Sequence, residues 1–545
     1  MKRRGYAWSG LLFAACCGPL AAAYSNLIAT ADGSSVYFEA KTSFSGTRWY
    51  RARMDAGRLA VTDAGLALAD ISEDGTTIAT SSFGERSCGF AGSTCWTAPA
   101  CGATLTIVGT EGRVGEFGRK SFVRLSRSGR LAWIEQTTVC RGLGTPVSPE
   151  RQGLYEVPAL RQAAPTGGLG LACWRAGRRL ITNRDQVLVR AANTQLSLID
   201  RSGVHQIRHQ YGADEAVIDA GGRNVVYTDG SPGPVHWIDL DRQTEETVGI
   251  GAAPALSDDA SMLAFLAPGG SLILHRRETG QATRLADNVL EFALSGSGRY
   301  VFAVTGENRL LRIEAATAIA ETWLEPFPEI RDASVGLGNR DPESCPLICY
   351  STPEPLLDLG RGSLLVLGGS HFPDGWRARV AGIERPLGLL SREAAWFQVP
   401  SDAADGRQSL EVVHPGHPLR FSASGQVSER FISCFGALHQ GFDRIVSAAD
   451  PAFTGEIVHV FLTGLAGVQP VADGVPNPAD RLIPVVAPPA LGGDGALEPL
   501  FFGLAPGLIG IQQLDLRILG PILPGVPLFP EVRAAPNCEA PPANP

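Results

Sequence analysis

The residues with which this chain could do chemistry are few: 9 histidines, 11 cysteines and a set of aspartates placed in glycine turns, among 545 residues. His205 and His209 are four apart, but on a strand and turn that spacing does not converge on one metal ion as it would on a helix. His414-Pro415-Gly416-His417 is a turn with two imidazoles, a place for adventitious metal rather than a built site. Asp74 and Asp258 lie in turns where aspartate hydrogen-bonds its own backbone and glycine accepts positive φ, so a turn role explains them without catalysis. No Gly-x-Ser-x-Gly elbow, His-Glu-x-x-His helix, phosphate-cradling Gly-Lys-Ser/Thr loop or calcium loop occurs. The sequence therefore predicts no catalytic residue, no metal ligand and no cofactor. For ligand contact the candidates are Trp49 and Trp96, tryptophans in polar, loop-rich context that could stack on a sugar ring. Trp133, Trp174 and Trp237 occupy apolar strand positions and read as core.

The chemistry of the cysteines depends on the compartment, and the first 23 residues supply an address. Lys2-Arg3-Arg4 is a basic n-region, Leu11 to Cys17 a short apolar core and Ala21-Ala22-Ala23 a small-residue cleavage site, so residues 1–23 read as a secretory signal peptide. The apolar run is too short to span a bilayer, Gly18-Pro19 interrupts it, and no later segment qualifies as a membrane helix. Ala14-Ala15-Cys16 resembles a lipobox, which leaves lipidation open as an alternative to free secretion. Removing Lys2, Arg3 and Arg4 from a chain of net charge −8 leaves −11, and such an acidic chain is unsuited to nucleic acid, whose phosphates need clustered cations. The expected location is periplasmic, cell-surface or extracellular.

In an exported chain cysteine first implies disulfides. Cys88, Cys95 and Cys101 fall in one Gly/Ser/Thr-rich stretch with Cys140 in the next turn region, and paired C-x-x-C spacing, which zinc would prefer, is absent. Cys345 and Cys349 enclose a tight ring, and Cys434 and Cys538 bracket the last part of the chain as a further candidate pair. Cys173, beside Trp174 in an apolar strand, is the candidate free thiol.

The elements that must carry these residues repeat. Between residues 28 and 304 an apolar stretch, a polar turn and a second apolar stretch recur seven times. The turns are Ala31-Asp32-Gly33, Glu73-Asp74-Gly75, Arg127-Ser128-Gly129, Arg175-Ala176-Gly177, Ala220-Gly221-Gly222, Asp258-Asp259-Ala260 and Gly296-Ser297-Gly298. Three or four short strands per interval predict a seven-bladed β-propeller over residues 24–325. Leu125-Ser126-Arg127-Ser128-Gly129-Arg130-Leu131-Ala132 resembles the PD-type propeller repeat of the bacterial Tol-system translocation family, a resemblance that covers about half the chain and implies fold rather than function.

The period stops near residue 325, and residues 326–355, with six prolines from Pro326 to Pro355, read as a linker. Residues 356–430 then carry Leu364-Leu365-Val366-Leu367-Gly368-Gly369-Ser370-His371-Phe372, Trp396-Phe397-Gln398-Val399-Pro400 and Ser409-Leu410-Glu411-Val412-Val413, which resemble the IPT/TIG immunoglobulin-like domains of plexins and transcription factors. In residues 431–535, Gly455-Glu456-Ile457-Val458-His459-Val460-Phe461 and Phe502-Gly503-Leu504-Ala505-Pro506-Gly507 resemble the C-terminal domain recurring in exported proteins of Solibacter-type soil bacteria, with residues 536–545 a Pro-rich tail. That likeness implies export and a β-rich module, and no activity.

The expected protein is thus all-β: a seven-bladed propeller, an Ig-like β-sandwich and a C-terminal β-rich domain. Its expected role is non-catalytic binding or display at the envelope or outside the cell, as a monomer with a protein or glycan ligand at the propeller face. The competing reading is a propeller hydrolase or lyase acting on extracellular polysaccharide, which would need carboxylates, or histidine with carboxylates, converging at the channel mouth.

Overall fold

The computed structural model describes residues 24–43, 48–65, 68–72, 77–82, 104–109, 112–117, 121–136, 151–157, 161–165, 180–184, 186–190, 196–208, 213–335, 357–370, 372–391, 393–465, 472–535 and 538–544. Among these residues every regular element is a β-strand, and there is no helix. Short runs rich in β-branched and aromatic residues, each closed by a Gly, Asp or Asn turn, leave little room for helical periodicity.

From residue 24 to residue 324 the strands form consecutive antiparallel meanders in sequence order. The first runs Tyr24–Ala29, Ser35–Ala40, Arg48–Asp55, Arg58–Gly65, and the last Val289–Leu294, Tyr300–Thr305, Leu310–Glu314, Ile319–Leu324. The fourth has three strands, and an Ile181–Val187 bridge stands in for its missing first strand. The fifth and sixth share one strand, Thr244–Leu256: its first half pairs with Gly233–Asp239 and its second with Met262–Ala267.

Sheets of this kind have apolar faces on both sides and must pack face to face. Their buried residues do so in seams: Val217, Val226 and Trp237 of the fifth meander lie against Leu256, Leu263 and Phe265 of the sixth, and Leu272 and Leu274 of the sixth against Val301 and Ala303 of the seventh. The seventh then packs on the first, with Phe302 and Val304 in one cluster with Tyr24, Leu27, Val36 and Phe38. First strands adjoin first strands, Tyr24–Ala29 lying beside Val289–Leu294. Meanders packed radially, first strands innermost and last on first, make a propeller-type fold.

Beyond it two sheets share one core. Glu329–Val335, Leu364–Ser370, Ala394–Gln398 and Gly388–Ser391 form one; Leu357–Gly360, Phe421–Ser428, Gly406–Val413, Arg377–Val380 and Ile383–Pro386 form the other, the first two parallel. Leu365, Leu367 and Phe397 of the one meet Val380, Leu410, Val412 and Phe421 of the other. Glu329–Val335 falls within the stretch whose prolines read as a linker. It is nevertheless an edge strand paired with Leu364–Ser370, because its residues lie between the prolines and keep their donors.

The same cluster continues into the first and seventh meanders through Phe327 and Trp376. Tyr24 is fully buried there, and its hydroxyl donates to the Glu325 carbonyl at 2.9 Å and meets His417 Nε2 at 3.0 Å. His417 Nδ1 accepts the Leu419 N–H at 3.1 Å, so the neutral ring carries its proton on Nε2, which faces the Tyr24 hydroxyl at 3.0 Å and the Glu325 carbonyl at 3.2 Å. Burial holds the imidazole down at about 4. The His414–His417 turn is therefore part of a packed seam, with His417 against Phe327 and Trp376, rather than a solvent-facing place for metal.

The last sheet orders Arg430–Leu438, Ile457–Leu465, Gln512–Ile518 and Leu497–Leu504, with a core of its own. A Cys434–Cys538 disulfide closes it.

Candidate functional site: the axial ring of turns

In each of the seven meanders among the described residues one tight turn recurs where the first strand passes into the second. A buried residue with a side-chain oxygen opens it: Thr30, Ser72, Ser126, Thr182, Asp219, Ser257 and Ser295. Its N–H donates to the carbonyl of the residue that resumes the strand (Ser35, Thr77, Leu131, Gln186, Asn224, Met262 and Tyr300 in turn). Its side-chain oxygen accepts that same residue's N–H. A short oxygen-bearing side chain is required, since nothing else satisfies a buried amide from that distance.

The fourth capped turn among the described residues sits at Thr182 to Gln186, and Arg175-Ala176-Gly177, where the sequence places a turn, lies outside the described residues. The capping threonine is the constant feature and the glycine is not. Gly33 shows what the glycine does where present: at φ +70 its missing Cβ would lie 2.5 Å from Tyr300 Cδ2 in the neighbouring turn. In the sixth turn Ala260 takes the corresponding left-handed conformation at φ +57. Burial raises the Asp32 and Asp259 carboxyls, but N–H and hydroxyl donors within the turn outweigh it and hold both below the usual range.

Five of the turns, the fourth to the seventh and then the first, are linked in series. Asn183 N–H donates to Ala220 O, Ala220 to Asp258, Asp258 to Gly296, and Ser297 to Ala31, which carries the belt from the seventh turn back to the first. At the other end of the first strands Glu291 accepts the Asn26 and Leu27 N–H groups at 2.9 and 2.8 Å, fastening the seventh meander to the first, and Glu215 accepts Ala253 N–H between the fifth and sixth. Inside the belt stand the residues that follow the caps. Ala31, Ala220 and Gly296 are small, while Arg127 of the third turn forms an ion pair with Asp258 of the sixth. The belt joins the sixth turn to the fifth and seventh, so a bond from third to sixth crosses its interior. Arg127 is 10% exposed there. A guanidinium and a carboxylate held on the axis, ringed by small side chains and backbone dipoles, can take an anionic or hydroxyl-bearing group by exchanging one partner.

Trp49 is not an exposed stacking platform. It is 3% exposed and packs with Ile28 and Tyr37, because the second residue of Arg48–Asp55 faces inward between Glu39 and Gly65 on the flanking strands. Trp133 and Trp237 are core, as their strands suggest. His205 is hydrogen-bonded to Asp200 and Ser202 in a surface hairpin, where one Asp200 oxygen takes both. Trp96, Trp174, Asp74, His209, Cys88, Cys95, Cys101, Cys140, Cys173, Cys345 and Cys349 lie outside the described residues. The Arg127–Asp258 pair escaped the sequence reading because its partners are more than a hundred positions apart in turns that each look self-sufficient. Glu291 did leave a signal, a carboxylate within an otherwise apolar first strand.

No family model matches the chain, and no curated protein does. Among solved structures the chain is similar to TolB from Acinetobacter baumannii, at 14% identity over 54% of this chain and 77% of that one with a TM-score of 0.30. It is also similar to the Cps50 (Swd1) beta-propeller domain of Myceliophteria thermophila, at 15% identity over 47% of this chain and 84% of that one, again with a TM-score of 0.30.

Proposed function

We propose that this is an exported, non-catalytic binding or scaffold protein whose propeller closes as seven blades and takes a protein or glycan ligand at the axial face. In this reading residues 1–23 are a cleaved signal peptide, the two-sheet unit is an IPT/TIG-like immunoglobulin fold, and the last sheet is the Solibacter-type exported domain. Disulfides join the Cys88–Cys140 group and Cys345 to Cys349. The observation that carries the proposal is the belt of backbone hydrogen bonds joining the fourth to seventh turns and the first, with Arg127 of the third turn paired to Asp258 of the sixth. The Cys434–Cys538 disulfide is consistent with an oxidising compartment.

The test uses the mature full-length protein on a glycan array and a panel of polysaccharide hydrolase and lyase substrates. A double Arg127→Gln/Asp258→Asn variant, which keeps hydrogen bonds and removes both charges, serves as the site control. We expect binding without product release, weakened at least about tenfold in the double variant. Turnover of any polysaccharide, or the absence of any bound ligand that the double variant weakens, contradicts the proposal.

A further inference from the structure

The sheet closed by Cys434–Cys538 has two unlike faces. Val458, Val460, Leu462, Leu514, Leu516 and Ile518 are buried on one, and that face is the domain's core. Alternation puts the intervening residues on the other. There Asp515 lies in register between His459 on one neighbouring strand and Phe501 on the other, and Gln513 stands opposite Phe461.

These polar groups are fixed in place. His459 Nδ1 meets Asp515 Oδ1 at 2.6 Å, and Gln513 Nε2 donates to the same oxygen at 2.7 Å. With both donors on Oδ1, Asp515 Oδ2 is left as an acceptor and Gln513 Oε1 is a second. Phe442 lies over them, its ring 3.8 Å from that of His459 and within 13° of parallel. It is 51% exposed although it is a large apolar side chain.

Its backbone is as telling as its exposure. Phe442 has φ +58, and the other non-glycine residues in that region of the described chain are Ala, Asn, Asp or Gln. An aromatic residue pays the left-handed penalty only where its ring is needed in that position. The adjacent Gly441 would have taken the conformation freely.

We infer that this face binds a saccharide, independently of the axial site. An aromatic ring with one face open, beside a row of rigid hydrogen-bond acceptors, matches a ligand with an apolar C–H face and an edge of hydroxyl donors. A membrane surface would leave the Asp515 carboxylate unmatched, and a quaternary ammonium has no hydrogens for Gln513 Oε1.

The experiment is affinity electrophoresis and calorimetry of the mature full-length protein against soluble glucans, xylans, mannans and chito-oligosaccharides. Phe442→Ala removes the platform. Asp515→Asn keeps the bond to His459 and turns the outward acceptor into a donor. Phe453→Ala removes another exposed aromatic of the same domain. We expect at least one saccharide to bind, at least about tenfold weaker in Phe442→Ala and in Asp515→Asn and unchanged in Phe453→Ala. Phe442→Trp, with a larger platform, should bind as tightly or tighter and serves if the alanine variant fails to fold. Binding to none of the panel, or binding unmoved by Phe442 and Asp515 variants, overturns the inference. Loss confined to the Arg127/Asp258 variant would also overturn it while leaving the axial reading standing.

Discussion

Thr30 and its six counterparts define the turn more strictly than the glycines that made it visible in the sequence. Each caps a buried amide, so each must be Ser, Thr or Asp, whereas the left-handed position tolerates alanine at Ala260. The two positions should therefore answer differently to substitution. In Gly33→Ala the new methyl would lie 2.5 Å from Tyr300 Cδ2 at φ +70, and we expect a loss of about 2 kcal/mol or more, because strain and overpacking add. In Ala260→Gly, relief of about 1–2 kcal/mol of left-handed strain is offset by about 0.8 for the buried methyl and about 0.5–1 for chain entropy, so stability should barely change. Chemical denaturation of both variants checks the pair; equal and large losses would show that the turn is held by volume, not by conformation. The fourth turn went unread for the same reason: Thr182, with no glycine beside it, makes the turn through its hydroxyl.

At the scale of elements, the strands and their order were legible because period-2 alternation and turn chemistry are local. The seams between elements were not, because a seam depends on which faces meet. Trp49 is the clearest case, a residue in polar company whose strand turns it inward. Glu329–Val335 is another, a strand whose prolines flank it rather than interrupt it. His417 shows a seam with a measurable signature. Its folded value of about 4 lies below the ordinary 6.5 because burial disfavours the imidazolium, so between those values the unfolded chain binds more protons. The stabilisation from neutral His417 is full above pH 6.5, falls as the pH drops toward 4, and loses no more below it. Melting curves from pH 7 to 3.5 should show this fall in the parent protein and a smaller one in His417→Gln, whose melting temperature at pH 7 starts lower. Parallel curves for the two proteins would mean that the seam does not titrate through His417.

The whole molecule is assembled so that the propeller and the two-sheet unit share a core. Phe327 and Trp376 bridge them, and Tyr24, at the start of the first meander, is locked into the seam by Glu325 and His417. A break near residue 326 would expose that core, so function is better assigned by point variants in the full chain than by separating its parts. The last sheet has its own core and a disulfide closing a separation of 104 residues. Reducing Cys434–Cys538 should cost that unit about 2–4 kcal/mol, read as a downward shift of its calorimetric transition with the propeller transition in place. A shift of both together would mean that all three parts unfold as one. The all-β character and the propeller-type repeat were readable from sequence; the axial pair and the aromatic face of the last sheet were not, since each joins residues that are distant along the chain.

The most direct test of this account is a crystallographic or single-particle map of the mature chain that counts the sheets around the axis. We expect seven, with Tyr24–Ala29 beside Val289–Leu294, Ser297 donating to Ala31, Glu291 on the Asn26 and Leu27 amides and Arg127 reaching Asp258 across the centre. Six or eight sheets, or an open array with the first and last meanders apart, would contradict it.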